Sequence, residues 1–325
     1  MAVSAEGGAP DTDDVAIETD GLTMRYGSLR AVDDLSLEVP VGSVFGLIGP
    51  NGAGKTTTIQ ILATLLEPTS GHAWVMGHSS TEEPEEVRRS LGYMPDFFGT
   101  YDDVRVGEYL EFFAGAYRLR PERRRSVSKD LLELVDLTHK KDSFVESLSR
   151  GMKQRLGLAR ALIHDPEVLI LDEPASGLDP RARIELRELI LELKKMGKTI
   201  VISSHILPEL EEMCTDIGII EAGRLLAQGS PAEMLHGLAD TRSFRLRCAD
   251  EDSLERARGI LEGREGIAGV TVENGSLQFL LMGDDEAAAD VIYQLVGKKV
   301  RVSGFADVTT GLEELFMQIT KGVVQ

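Results

Sequence analysis

Residues 46–58, GLIGPNGAGKTTT, constrain the fold of this chain more than any other stretch. They satisfy the pattern G-x-x-x-x-G-K-[ST], which places a loop between a buried strand and a helix. The preceding residues 43–49 form a short apolar run typical of a buried strand, and apolar residues recur at helical spacing over 59–66. A glycine-rich turn that merely matches the pattern is the alternative. The strand and helix signals on either side favour a phosphate-binding loop.

The residue types in this loop suit phosphate chemistry. Gly49 and Gly54 let backbone N–H groups turn inward around phosphates at a helix N-terminus, where the helix dipole also favours negative charge. Lys55 supplies a positive charge to the outer phosphates, and Thr56 supplies a hydroxyl to Mg²⁺. We assign the remaining loop positions to nucleotide binding as well: Asn51, Gly52, Ala53 and Thr57.

A pair of acids follows a second apolar run, in the stretch EVLILDEPASGLDP at residues 167–180. The run Val168–Leu171 is typical of a central parallel strand covered on both faces, and it ends at Asp172 and Glu173. Catalytic groups collect at the carboxyl ends of such strands, so we expect both carboxylates beside the phosphate loop. One can hold Mg²⁺ while the other polarises a water for attack on the γ-phosphate. An acid pair that only caps the next helix is the bland alternative.

A histidine follows a third apolar run in TIVISSHILPEL. Thr199–Ile202 again predict a buried strand, and His205 lies just beyond it. A lone histidine is more often structural than catalytic. Because this strand should end where the other two end, we expect His205 to contact the γ-phosphate.

Composition limits the partners and the compartment. The formal net charge of −19 over 325 residues repels phosphate backbones at long range, which argues against a nucleic-acid partner. Two distant cysteines without metal-ligand spacing favour a reduced, cytosolic compartment. The sequence contains no window of eighteen apolar residues, so we expect no membrane-spanning helix. Residues 1–14 lack signal-peptide features and are expected to form a disordered arm.

Taken in order, these elements resemble the nucleotide-binding subunit of an ABC transporter over about residues 15–238. GPNGAGKTT matches that family's Walker A motif, VLILDE its Walker B motif, and SGLD, with Asp179, its D-loop. The Walker B resemblance implies that Asp172 serves the metal and Glu173 catalysis. His205 matches the switch histidine, and Tyr26 matches the aromatic residue that stacks on adenine. LSRGMKQR resembles the family signature, whose usual form is LSGGQ.

The resemblance implies a working unit of two such domains arranged head to tail. Each ATP would lie between one subunit's Walker A motif and the signature of the other. From the residues alone, Ser149 and Gly151 at a helix start predict only an N-cap. The resemblance implies that the signature contacts the partner's nucleotide. The signature residues in this chain are Ser149, Arg150, Gly151 and Met152. Arg150 and Met152 depart from the family's Gly and Gln, and Arg150 can add a positive charge near the shared nucleotide.

A second departure lies in LGYMPDFFG, at the position of the family's Q-loop. Asp96 stands where the family usually has a Gln that contacts Mg²⁺ or the attacking water. A shorter, charged side chain can hold the metal directly or through water, so we include Asp96 among the metal candidates. The strand at Leu91–Met94 should join the core sheet, while Phe97, Phe98 and Tyr101 should face a membrane subunit.

The rest of the chain predicts a helical region and a second, smaller domain. Helices are expected at 106–119 and 122–137, inside a helical subdomain at about residues 100–165. Residues 239–325 predict the element order βαββαβα of a small ferredoxin-like domain. A regulatory or dimer-stabilising role and a passive extension are both open for this domain.

The prediction for the whole chain is an α/β fold: a P-loop NTPase cassette of ABC type with a helical subdomain, followed by a small α+β (ferredoxin-like) domain. The expected function is that of an ATP-hydrolysing motor subunit that uses ATP and Mg²⁺ and pairs with a second ATPase subunit. It would serve a separate transmembrane permease, in an exporter, from the cytoplasmic face of the membrane. The alternative is a soluble ABC-type ATPase that acts on a nucleic-acid or ribosomal complex. One cassette, no heptad run and the negative charge disfavour it.

Overall fold

The computed structural model describes residues 14–96, 99, 103–236, 241–273, 275–308 and 316. The chain divides into two compact units between Ser230 and Pro231. Phe97, Phe98 and Tyr101, predicted to face a membrane subunit, lie outside the described residues, as does the predicted last helix at 312–322 except for Phe316, which is helical.

An antiparallel sheet opens the first unit. Its strands are β1 (Val15–Tyr26), β2 (Leu29–Pro40), β4 (Ser70–Val75) and β5 (His78–Ser79), in the order β2-β1-β4-β5. Along β2 the buried and exposed residues alternate, as expected for a sheet with one face on the core. This sheet positions Tyr26 at the end of its longest hairpin.

A mostly parallel sheet forms the centre of the first unit. Its strands are β3 (Val44–Ile48), β6 (Leu91–Met94), β7 (Val168–Asp172), β8 (Thr199–Ser204), β9 (Asp216–Glu221) and β10 (Arg224–Gly229). They lie in the order β10-β9-β3-β8-β7-β6, and only β10 pairs antiparallel. Every residue of β3, β7 and β8 is buried, because helices and the first sheet cover both faces. The carboxyl ends of these three neighbouring strands therefore meet at one edge.

Helices connect and cover these strands. They are α1 (Lys55–Leu62), α2 (Pro84–Ser90), α3 (Val106–Ala116), α4 (Pro121–Leu134), α5 (Arg150–Ala161), α6 (Pro180–Lys195) and α7 (Leu207–Glu211), with short 3₁₀ turns at Thr138–Lys140 and Val145–Ser147. The α/β cassette predicted from the sequence is confirmed. Within the described part of the chain, no helix combines the length and apolarity that crossing a bilayer requires.

The two helices predicted at 106–119 and 122–137 form, but each ends about three residues early. The cause is local, because Arg118 and Asp136 adopt left-handed backbone conformations, with φ of 59° and 52°. A helix cannot continue through such a residue. The apolar spacing continues beyond these residues, so both predicted helices were too long at their C-terminal ends.

The second unit begins with the helix α8 (Pro231–His236) and continues, within the described residues, as strand, helix, two strands, helix and strand. Its elements are β11 (Thr241–Cys248), α9 (Glu251–Glu262), β12 (Ile267–Glu273), β13 (Ser276–Met282), α10 (Asp285–Gly297) and β14 (Val302–Val308). All strand pairs are antiparallel, in the order β12-β13-β11-β14. This is the split βαβ arrangement of ferredoxin-like units. Its core packs Phe244, Leu246 and Phe279 against the two helices.

In the first unit, His164 joins the end of α5 to the start of β6. Its Nε2–H donates to the Leu91 carbonyl at 3.0 Å, and its ring stacks on Tyr117 with centroids 3.9 Å apart. The buried Nδ1 has no hydrogen-bond partner among the described residues. Burial lowers the pKa of His164, and the nearby charge of Lys198 lowers it further. The neutral ring is therefore the form that this junction accommodates.

Acidification should destabilise the protein through His164. Because the pKa of His164 is lower in the folded than in the unfolded state, folding is favoured most above the unfolded pKa of about 6.5. This contribution to the free energy of unfolding is lost as the pH falls below that pKa. We expect the urea midpoint of the wild type to fall between pH 7.5 and 5.5 by more than that of His164→Gln, whose amide can still donate to Leu91. His139→Gln, at an exposed histidine, is the control and should keep the wild-type pH dependence. Parallel curves for wild type and His164→Gln would contradict this account.

Candidate functional site

The phosphate loop connects β3 to α1 in a backbone path that only glycine fits. Gly54 has φ of 102°, and a Cβ there would lie 2.3 Å from the Ala31 carbonyl oxygen. A Cβ on Gly49 would lie 2.3 Å from the Ile220 carbonyl oxygen. The loop therefore presses directly on the neighbouring backbone. This close packing fixes the loop before any ligand arrives.

Lys55, the first residue of α1, turns its ammonium back into the loop. Its Nζ donates to the carbonyls of Gly49 at 2.6 Å and Pro50 at 3.2 Å, and lies 3.7 Å from Glu173 Oε1. The side chain is buried. Burial lowers the pKa of Lys55, whereas the carboxylates of Glu173 and Asp172 oppose that shift. The ammonium is thus held where an anionic group entering the loop would meet it.

The carboxyl end of β7 carries the predicted acid pair. Asp172 is 1% exposed, and its Oδ1 accepts from Ser203 Oγ at 2.6 Å and from Thr56 Oγ1 at 3.4 Å. Burial raises the pKa of Asp172, the two hydroxyl donors lower it, and the charge of Asp96 adds to the rise. The buried carboxylate and the exposed hydroxyl of Thr56 provide oxygen ligands of the type that Mg²⁺ prefers.

Glu173 stands between two basic groups. His205, just after β8, donates from Nδ1 to Glu173 Oε2 at 2.8 Å, while Lys55 lies on the Oε1 side. The Glu173 backbone has φ of 48°, and its N–H donates to Ser203 Oγ at 2.8 Å. The carboxylate is thus held from two sides, and Ser203 fixes the backbone that carries it. Such a group can accept a proton from a water without moving.

These groups border one concavity of about 490 Å³. Its lining includes the predicted loop residues and Tyr26, Asp96, Glu173 and His205. The loop residues on its wall are Asn51, Gly52, Ala53, Gly54, Lys55, Thr56 and Thr57. Tyr26 is 47% exposed, so its ring is available to a ligand. The structure therefore brings together every site residue predicted for one nucleotide, with Asp172 buried behind Thr56.

Among the described residues, no three His, Cys, Asp or Glu side chains converge as a metal centre. Of the metal candidates, Thr56 and Asp172 are hydrogen-bonded to each other. Asp96 borders the same concavity and is exposed. These oxygens suit a magnesium ion that takes its other ligands from phosphates and water, which is the usual arrangement for this ion.

The signature residues lie in a separate, smaller concavity of about 210 Å³. Ser149 is the N-cap of α5, and its Oγ accepts from the Met152 N–H at 3.3 Å. Asp179 caps α6 in the same way, through the Ala182 N–H at 2.9 Å. Gly151 lies in the first turn of α5 and borders this concavity too. Within one chain, this group and the phosphate loop border different concavities.

Arg150, the departure from the family signature, lies across Gly177 of the D-loop stretch. A Cβ at Gly177, where φ is 67°, would lie 2.6 Å from both Cζ and Nη1 of Arg150. The guanidinium thus occupies the space that a side chain at position 177 would fill. Arg150, which stands where the family signature has Gly, therefore packs over Gly177, which has no side chain.

Sequence reasoning missed Ser203, which joins the two carboxylate positions. In the parallel register of β7 and β8, Asp172 lies opposite Ser203. The hydroxyl donates to Asp172 and accepts from the Glu173 N–H. The available signal was a polar residue at the carboxyl end of an otherwise apolar strand. Leu29, Ala31 and Ser176 also border the larger concavity without having been predicted.

Comparison with known proteins gives a consistent result. A model of the ABC transporter family matches residues 32–176. The chain is 33% identical over 308 residues to the daunorubicin/doxorubicin resistance ATP-binding protein DrrA of Streptomyces peucetius, covering 94% of this chain and 92% of that protein. It is 40% identical over 219 residues to the Nod factor export ATP-binding protein I of Ralstonia nicotianae, covering 67% and 68%. A solved structure of the ATP binding subunit of an ABC transporter aligns with a TM-score of 0.63 and 32% identity, covering 69% of this chain and 93% of that one.

Gly54→Ala should destabilise the first unit far more than Gly42→Ala. Both glycines have positive φ, but a Cβ at Gly42 meets nothing within 4 Å. The backbone conformation alone costs alanine about 1–2 kcal/mol, which is the loss expected for Gly42→Ala. The clash with the Ala31 carbonyl should bring the loss for Gly54→Ala to roughly 3–5 kcal/mol. Urea unfolding measures both, and equal losses would show that the loop is not tightly packed.

Proposed function

This chain belongs to the ABC transporter family of ATP-binding proteins, and on that premise we propose that it is the ATP-hydrolysing motor subunit of an exporter, working with a separate transmembrane permease. Proteins of this family are ATPases that bind nucleotide and serve transporters. Export is favoured because one relative bears the name of an export protein and another, similar over nearly the whole chain, bears that of a drug-resistance protein. The position of Glu173 between His205 and Lys55, on the wall of the loop's concavity, carries the proposal.

The residues divide the work of ATP hydrolysis. Backbone N–H groups of the phosphate loop bind the phosphates, Lys55 pairs with the outer ones, and the Tyr26 ring stacks on adenine. Thr56 and Asp172, with Asp96 behind the phosphate end, would hold Mg²⁺. A bound Mg²⁺ neutralises charge on the phosphate oxygens. Glu173 accepts the proton of the attacking water, and His205 fixes the orientation of that carboxylate while contacting the γ-phosphate.

Two chains arranged head to tail would complete each nucleotide site. The signature concavity and the phosphate-loop concavity of one chain do not share a wall residue among those described. Ser149 presents the exposed N-terminus of α5, where an anion is stabilised by unpaired N–H groups and the helix dipole. Arg150 adds a positive charge beside it, and Gly151, Met152 and Asp179 border the same surface. We infer that this surface receives the γ-phosphate bound to the partner's loop.

The remaining assignments concern domains and location. We assign residues 15–238 to the ATPase domain, with its helical subdomain at about 100–165, and residues 239–325 to an accessory domain. The protein would act at the cytoplasmic face of the membrane, held there by the permease. The soluble alternative, acting on a nucleic-acid or ribosomal complex, is not favoured, because the similar proteins include an export protein and the ATP binding subunit of an ABC transporter, and the net charge of −19 opposes nucleic acid.

Glu173→Gln tests the proposed chemistry. The amide keeps the size of the side chain but cannot accept the proton, so ATP binding should persist while turnover falls at least about 100-fold. Equilibrium dialysis with ATP and phosphate release measure the two quantities. With hydrolysis blocked, ATP should also drive the variant into a dimer, seen as an earlier elution in size-exclusion chromatography.

Glu167→Gln is the matched control, because Glu167 is exposed and precedes the first residue of β7, whereas Glu173 follows its last residue. It should leave binding and turnover unchanged. Wild-type turnover in Glu173→Gln would overturn the assignment of the catalytic base.

Asp96→Asn tests whether the acid in place of the family's glutamine serves the metal. The amide removes one negative charge beside Asp172, so we expect the Mg²⁺ concentration for half-maximal turnover to rise roughly 3- to 10-fold. Titration of ATPase activity with Mg²⁺ gives this value. Asp130→Asn, at an exposed acid on α4, controls for the change in net charge. An unaltered Mg²⁺ requirement in Asp96→Asn would exclude Asp96 from the metal site.

A further inference from the structure

Two arginines of the second unit project from the sheet face opposite its helices. Along β11, Phe244 and Leu246 point into the core, so the alternating residues Arg245 and Arg247 point the other way and are exposed. Two positions along a strand separate their Cα atoms by about 7 Å. Both arginines border a concavity of about 500 Å³.

Neither guanidinium has an acceptor within the part of the chain that the structure describes. The other arginines of this unit differ. Arg242 pairs with Asp285 and Asp307, Arg258 with Glu262, and Arg301 with Asp250. Arg256 and Arg264 donate to uncharged oxygens. In a chain with a net charge of −19, two adjacent unpaired guanidiniums are a local reversal of charge.

The neighbouring strands give the two arginines a polar, small-residue floor. In the register of the sheet, Arg245 lies between Gln278 and Ala306, and Arg247 lies between Ser276 and Gly304. A Cβ on Gly304 would lie 3.3 Å from Nε and 3.6 Å from Nη2 of Arg247. The guanidinium thus rests over a position without a side chain.

We propose that this concavity binds a small soluble ligand through a dianionic phosphate group held between Arg245 and Arg247. Guanidinium groups bind phosphate with paired, charge-assisted hydrogen bonds. Two of them match the charge of a phosphate monoester, which is −1.5 to −2 at neutral pH. The volume falls within the range of small-molecule pockets, which is about 300–1,000 Å³. This site is independent of the ATPase site and of the function proposed above.

The chemistry of the face argues against RNA, which other open four-stranded sheets bind by stacking bases on aromatic rings. The phenylalanine rings of the described strands pack on one another instead: Phe305 borders the concavity, but its ring stacks on Phe244 with centroids 4.9 Å apart. Phe279 is buried in the same cluster. The face therefore offers charge and hydrogen bonds rather than stacking surfaces.

Equilibrium dialysis of the full-length chain with radiolabelled inorganic phosphate tests the proposal. Because the phosphate loop also binds phosphate, the site is identified by comparing variants. The relevant binding should be retained in Lys55→Ala and, in that background, weakened at least about tenfold by R245Q/R247Q. R245K/R247K keeps the charge without the paired geometry and should bind with intermediate affinity.

R256Q/R258Q is the matched control, because it removes the same charge from α9 and should bind phosphate as the wild type does. ATP binding and the urea midpoint of R245Q/R247Q, both expected to equal those of the wild type, show that the variant folds. In the Lys55→Ala background, phosphate binding that is unchanged by R245Q/R247Q, or equally reduced by R256Q/R258Q, would overturn the proposal. Equal affinity for succinate would refute the phosphate assignment, and binding only to vesicles that contain phosphatidic acid would refute a soluble ligand.

Discussion

The hydroxyl of Ser203 is the contact on which the catalytic arrangement depends. It donates to the buried carboxylate of Asp172 and accepts from the backbone N–H of Glu173. The parallel pairing of β7 with β8 creates this contact, because it places Ser203 directly opposite Asp172. One hydroxyl thereby satisfies a buried charge and fixes the start of the turn that carries Glu173. Burying Asp172 without such a donor would carry a large desolvation penalty.

The sheet gives that contact its precision. The strands β3, β7 and β8 are neighbours and buried throughout, so their ends cannot shift independently. The phosphate loop, the acid pair and His205 each follow one of these ends. Groups fixed in this way need little reorganisation during the reaction, which is the principal electrostatic advantage of a preformed site. Glu173 retains a left-handed backbone conformation within this frame, which is a strain that the surrounding contacts must offset.

The sequence predicted those features whose chemistry restricts the residue type. A phosphate loop needs its glycines and Lys55, and beside such a loop a buried strand that ends in two acids indicates catalysis rather than a helix cap. Ser203 escaped because a serine at a strand end has no distinctive spacing, and only the strand register shows what it faces. The pairing of β1 with β2 was not anticipated either, since its register shifts at several points and burial along β1 does not alternate regularly. The packing of Arg150 on Gly177 depends likewise on a contact between a helix and a turn. Each of these needs information from residues distant in the chain or from the exact backbone path.

The alternation along β11 has a consequence for how the second unit reaches its fold. Phe244 and Leu246 are buried while Arg245 and Arg247 are exposed. If this central strand slipped by one residue against its neighbours, two guanidiniums would enter the core and two apolar side chains would enter water. A sheet in which β11 is shifted by one residue, in either direction, can therefore be populated very little, because an unpaired buried charge is far more costly than an exposed one. Arg245 and Arg247 thus help to specify the register of β11, independently of any ligand that they bind in the folded sheet.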